Sequence, residues 1–166
     1  MQANRQTKPE YFFKKGEALP DAIRRILSEQ LTQAVEVLSG DRDSLEKAVH
    51  EARRSLKRAR SLLRLVRFAI PNTYARENQR LRDVGRSLSE LRDAHALAQT
   101  LDDLERSRNG GQADESRRAF ASARTLLESR GERITKSMEQ GGMEQSIAQL
   151  QEALTRVARV SYAKVD

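Results

Sequence analysis

The sequence predicts an all-α fold, an antiparallel bundle of four to five helices. Three observations carry the prediction. The 166 residues are one third charged, only 4% aromatic and free of Trp and Cys, and a balance rich in Ala, Leu, Arg, Glu and Gln favours helix. Apolar residues recur at three- and four-residue spacing through five stretches, whereas alternation of apolar and polar residues never persists. The breakers Pro20, Pro71, Gly40, Gly110-Gly111 and Gly141-Gly142 fall between those stretches, and short joints between amphipathic helices set neighbours antiparallel.

Residues 1–17 read as an N-terminal arm and residues 18–166 as the bundle. The first helix is predicted from about Pro20 to Ser39, because Pro20 and Asp21 suit a first turn and Gly40 suits an end. Its inward stripe is Ile23, Leu27, Leu31, Ala34/Val35 and Leu38. The second starts near Asp43 or Ser44, with Asp43 as cap and Glu46 three residues on, and runs to about Ala69, before Pro71. The third spans about Asn72 to Arg108, with Leu81, Val84, Leu88, Leu91, His95, Ala98 and Leu101 inward. The fourth covers about Ala113 to Met138, turning Phe120, Ala123, Leu127, Ile134 and Met138 inward. The fifth runs from about Met143 to Ala163, with Ile147, Leu150, Leu154, Val157 and Val160 inward.

Composition excludes several classes of protein. Without Cys there is no disulfide scaffold and no Cys-ligated metal site. No apolar run approaches the ~20 residues that span a bilayer, and Tyr11-Phe12-Phe13 is too short for a secretory core. A soluble cytoplasmic chain is the expectation.

The net charge of +7 is concentrated. Between His50 and Arg67 stand seven Lys/Arg and one acid, Glu51, so that segment carries +6 and the rest of the chain +1. A focused positive field is the footprint of an anionic partner. Rotating about 100° per residue puts His50, Arg53, Lys57, Arg60 and Arg64 within an arc of about 80°, in a row about 21 Å long. The apolar stripe Val49, Ala52, Leu56, Ala59, Leu63 and Val66 is centred about 100° from that row by the same geometry. A merely solvated face would sit opposite the core with cations and anions interleaved. Here the cations flank the core stripe, and repulsion between them would be relieved by an anion laid along the row. Arg suits the task because its guanidinium forks onto two phosphate oxygens at once.

The stretch Val49-His50-Glu51-Ala52-Arg53-Arg54-Ser55-Leu56-Lys57-Arg58-Ala59-Arg60-Ser61-Leu62-Leu63-Arg64 resembles the signature of the CHAD family, the conserved-histidine α-helical domains. That signature is a Val-His pair followed by basic residues 3, 7, 8, 10 and 14 positions later, matched here by Arg53, Lys57, Arg58, Arg60 and Arg64. Downstream, Leu88-Ser89-Glu90-Leu91-Arg92-Asp93-Ala94-His95 is similar to the family's Arg-Asp-x-Asp segment, with His95 where an Asp is usual. Upstream, Phe13-Lys14-Lys15-Gly16-Glu17 through Ile26 is similar to the family's entry segment.

The resemblance implies binding of inorganic polyphosphate without catalysis. It implies contacts from His50, Arg53, Lys57, Arg58, Arg60 and Arg64, with Arg54 of the same basic run as a further candidate and Arg92 joining from the third helix or pairing instead with Glu90 or Asp93. Arg80 and Arg86 are further candidates on that helix. An imidazole gains charge in mild acid, so polyphosphate binding through His50 is expected to tighten there. The family's domains look like two four-helix halves around a central basic channel, each half with its own His-plus-basic helix. This chain has one such helix, so it resembles one half. Either it is part of a larger domain, or two copies pair as a homodimer and rebuild the channel. Association with polyphosphate granules is the matching expectation for location.

Other classes fit less well. No Gly-rich phosphate loop, nucleophile elbow or zinc signature occurs, and His50-Glu51 lacks the second His of a zincin helix. Asp102, Asp103 and Glu105 lie on successive helix faces, so no metal site and no cofactor is expected. RNA or DNA binding is the runner-up, since a cationic row serves any phosphate backbone. Yet single-strand binders interleave aromatics for stacking, and Phe68 and Tyr74 both lie past the end of the row. A protein-interaction scaffold is the third reading.

Overall fold

The computed structural model describes residues 11–40, 45–107 and 114–164. Helix α1 spans Leu19–Ser39, α2 Leu45–Leu65, α3 Pro71–Ser107, α4 Asp114–Ser137 and α5 Met143–Arg159. A wide helical turn at Met138–Gly142 joins the last two, and no strand occurs among the described residues. Pro20 lies in the first turn of α1 and Pro71 opens α3, where a missing N–H is no loss. Asp43 and Ser44, the expected cap of α2, lie outside the described residues.

Helices α1, α2, the first half of α3 and α5 form a ring. α1 packs on α2 and α5, and α3 packs on the same two from the other side. Cross-links fix the directions as antiparallel. Arg60 of α2 meets Asn78 of α3, Glu77 of α3 meets Arg156 of α5, and Arg24 of α1 reaches the carbonyl of Val160. Of the expected stripes, Ile23, Leu27 and Leu31, Val49, Leu56 and Leu63, Leu81, Val84 and Leu88, and Leu150 and Val157 are buried in the core, joined by Ile26, Leu62, Ile70, Met143, Ala153 and Tyr162, while Ile147, Leu154 and Val160 pack against it partly buried. Each such side chain contributes about 1.5–3 kcal/mol by leaving water, which is why helices with charged outer faces close on one another.

α4 stands outside the ring, packed along α3 and the Met138–Gly142 turn. Asp102 of α3 pairs with Arg124 of α4, and Asp103 with Arg106. Of the residues expected inward on α4, Met138 is buried and Ile134 packs against the core, while Phe120, Ala123 and Leu127 are only half-buried. Among its described residues the helix joins the core at its C-terminal end alone. α3 therefore serves two sets of partners along its 37 residues, and one continuous inward stripe is not required of it. The side chains of Leu91, His95, Ala98, Leu101 and Glu105 lie outside the described residues.

Two helices end earlier than their periodicity suggests. α2 closes at Leu65, and the chain turns through Val66–Ala69, with the Ala69 amide donating to Val66. The Arg67 guanidinium donates to the Arg64 carbonyl at 3.0 Å, alongside a longer bond of 3.4 Å from the Arg67 amide. α5 ends at Arg159 because Val160 turns extended and Tyr162 folds back into the core, its hydroxyl donating to the Val157 carbonyl. Burial raises the Tyr162 phenol to about 12. Gly141 carries a φ of +117° at the α4–α5 turn, a conformation that L side chains rarely adopt.

Residues 11–17 lie across α1 and α2. Arg25 grips the Glu17 carboxylate at 2.7 and 2.8 Å and the Phe12 carbonyl at 2.9 Å. The Tyr11 hydroxyl donates to the Arg58 carbonyl, and the Arg58 guanidinium sits 5.5 Å above the Tyr11 ring. Among the described residues no helix is long and apolar enough to cross a membrane.

Candidate anion-binding site

Where α2 and α3 run side by side they enclose a groove of about 220 Å³. Arg53, Lys57 and Arg60 form one wall, Arg82 and Arg86 the other, and Leu56, Leu81, Gly85 and Ser89 the floor. Antiparallel packing produces this pairing. On each helix the cations stand beside the apolar stripe, so burying both stripes turns both cationic edges toward the same seam. Among the described residues no carboxylate lines the groove.

The guanidiniums are held at a cost. The Nη1 of Arg53 is buried with no hydrogen-bond partner. Arg60 donates to the Asn78 side-chain oxygen at 3.0 Å. Burial, and then repulsion from Arg82, Arg64 and Arg86, pulls its guanidinium below the ordinary arginine value. Mutual repulsion in a partly desolvated seam is what a bound polyanion would remove. Ser89 donates its hydroxyl back to the Gly85 carbonyl at 2.7 Å, leaving its oxygen lone pairs as the polar feature of the floor.

The sequence-derived candidates divide by facing. Arg53, Lys57 and Arg60 meet in the groove. His50 and Arg64 are exposed on the same side of α2, beyond the groove at either end. Arg54 and Arg58 do not join them. Helical rotation turns them about 100° and 140° from Arg53, Arg54 into solvent and Arg58 onto Tyr11. The side chain of Arg92 lies outside the described residues. Arg86 takes its place in the second wall, whereas Arg80 is turned away and bound to Glu77. Arg82 is the groove residue that the sequence reading passed over. Its signal was present as Arg82, Arg86 and Ser89 at i, i+4 and i+7, masked by Asp83 next to Arg82 in the sequence.

The model of the CHAD domain family matches residues 21–165, nearly the whole chain. The chain belongs to the CHAD family. The family is associated with polyphosphate binding, and its domain is a binding domain rather than a catalytic one. No curated protein and no solved structure matches the chain. In this CHAD domain the signature helix is α2, and the signature's basic positions fall on two faces of it. Among the described residues no three His, Cys, Asp or Glu side chains group as a metal site.

Proposed function

We propose that the chain binds inorganic polyphosphate along the α2–α3 groove, without catalysis, through Arg53, Lys57, Arg60, Arg82 and Arg86. The observation that carries the reading is the convergence of five cations on one seam that no carboxylate among the described residues lines, with one guanidinium nitrogen left buried and unpaired. His50 and Arg64 extend the track, because the row from one to the other is about 21 Å long at the helical rise. A long polyanion engages more of it than a short one. In a cell such binding would hold the chain on polyphosphate granules.

RNA or DNA would meet the same charges, but among the described residues the groove offers no aromatic face for a base. Phe68 is 81% exposed past the end of the row, its ring covered by Arg67 at 4.1 Å. Calorimetric titration with long-chain polyphosphate at two salt concentrations tests the reading. Binding should be strong, should weaken with salt, and should be lost in Arg53→Ala/Lys57→Ala/Arg60→Ala. Displacement of bound polyphosphate by RNA at equal phosphate concentration would favour nucleic acid instead.

A further inference from the structure

A second basic cleft lies at the opposite side of α3, where its first turns meet the end of α5. Its volume is about 600 Å³, and Arg76 and Arg80 of α3 face Arg156 and Arg159 of α5 across it. Glu77, 2% exposed, is the one acid in the lining among the described residues. Its carboxylate takes Arg80 at 2.8 Å and Arg156 at 2.8 and 3.3 Å. Burial works against the Arg156 charge, but its bonds to Glu77 and to the exposed Glu152 raise its pKa and keep it protonated.

A purely structural ion-pair cluster would need no more than these groups. Arg76 and Arg159 are surplus to it. Both are exposed, both line the cleft, and neither has a partner among the described residues. The Glu77 oxygens are already taken, so they cannot neutralise the additional pair. The cleft therefore holds two oriented guanidiniums and two unspent ones around a space open to solvent, which is donor chemistry for several phosphoryl oxygens at once.

We propose that this cleft is a second site, for a small multiply charged phosphate such as pyrophosphate. It is separate from the α2–α3 groove. Rotation about α3 puts Gln79 and Asp83 between the Arg82/Arg86 edge and the Arg76/Arg80 edge, and those two side chains bind each other. The Asp83 carboxylate repels a polyanion running from one site to the other. The ligand is thus a small free phosphate rather than a stretch of a chain already held in the groove.

The test is calorimetric titration of the full chain with pyrophosphate, on an Arg82→Ala/Arg86→Ala background that weakens the groove. Binding should persist on that background and fall at least tenfold when Arg76→Ala/Arg159→Ala is added, with Arg76→Gln/Arg159→Gln giving the same loss at retained side-chain bulk. Circular dichroism should show helix content unchanged, because both side chains are exposed. Pyrophosphate binding that is absent, or that survives removal of Arg76 and Arg159 within about threefold, overturns the proposal. In the otherwise wild-type chain the same double substitution should leave long-chain polyphosphate affinity within about twofold. A parallel loss of both ligands would overturn the assignment to a small free phosphate. The groove reading fails separately, on long-chain polyphosphate that does not bind at all.

Discussion

Arg53 keeps a buried donor unpaired in the free protein, and such a group costs about 1–3 kcal/mol. The cost is recovered if a phosphate oxygen arrives. Arg53→Met keeps most of the stem and removes the charge, so thermal denaturation should show stability unchanged or raised by up to about 1 kcal/mol. Polyphosphate affinity should fall by about tenfold or more, the worth of one hydrogen bond to a charged group. Arg54→Ala, on the outward face, should change affinity by less than about twofold, although the family signature places a basic residue four positions from it on either helical turn. Glu17 makes the opposite kind of statement. Arg25 holds its carboxyl down to about 2, with the Lys14 amide adding a further bond. A carboxylate depressed on folding contributes stability above its unfolded value of 4.5, and loses it as pH falls toward about 2. Hydrogen-exchange protection of residues 11–17, taken relative to the intrinsic rate at each pH, should therefore fall over that window, while α2 and α5 stay protected. Glu17→Gln should expose the segment already at neutral pH and remove the pH dependence.

The helices themselves were largely legible, because their starts and stops rest on residues with one mechanical meaning. Pro71 opens α3, Gly40 follows α1, and the glycines at 141 and 142 mark the α4–α5 turn. What could not be read was decided by tertiary structure. The end of α5 depends on Tyr162 returning to the core, and α4's stripe, though periodic, meets α3 rather than the ring. The groove was half legible for the same reason. Spacing along α2 gives its cationic edge, but which edge of α3 lies opposite follows only from the packing of Leu56 beside Gly85. Two glycines test these arguments by denaturation. A Cβ at Gly85 would meet only Leu56 Cδ1, at 4.0 Å, so Gly85→Ala should stabilise α3 by about 0.5–1 kcal/mol. Gly141→Ala should destabilise by about 1–3 kcal/mol, since the φ of +117° there strains any side chain.

At the scale of the molecule the groove is a two-walled cleft with an open third side, on a chain of net charge +7. Two such faces repel one another, so pairing of copies, which the resemblance to half of a symmetric domain leads one to expect, needs the anion as its intermediary. A polyphosphate long enough to overrun one groove leaves charge unpaired beyond it, and a second copy laid over the first neutralises that remainder while excluding water from both seams. Sedimentation should accordingly give a monomer without ligand, a monomer with tripolyphosphate, and a species of twice the mass with long-chain polyphosphate at substoichiometric amounts. Raising the salt should dissolve the dimer before it abolishes binding, because the second copy is held by fewer and more exposed charges than the first. Dimers formed with no anion present would place the contact elsewhere, on apolar surface such as Leu104 and Leu126, which are 47% and 68% exposed. A monomer at saturating long-chain polyphosphate would mean that one groove suffices, and the pairing would be withdrawn while the groove stands.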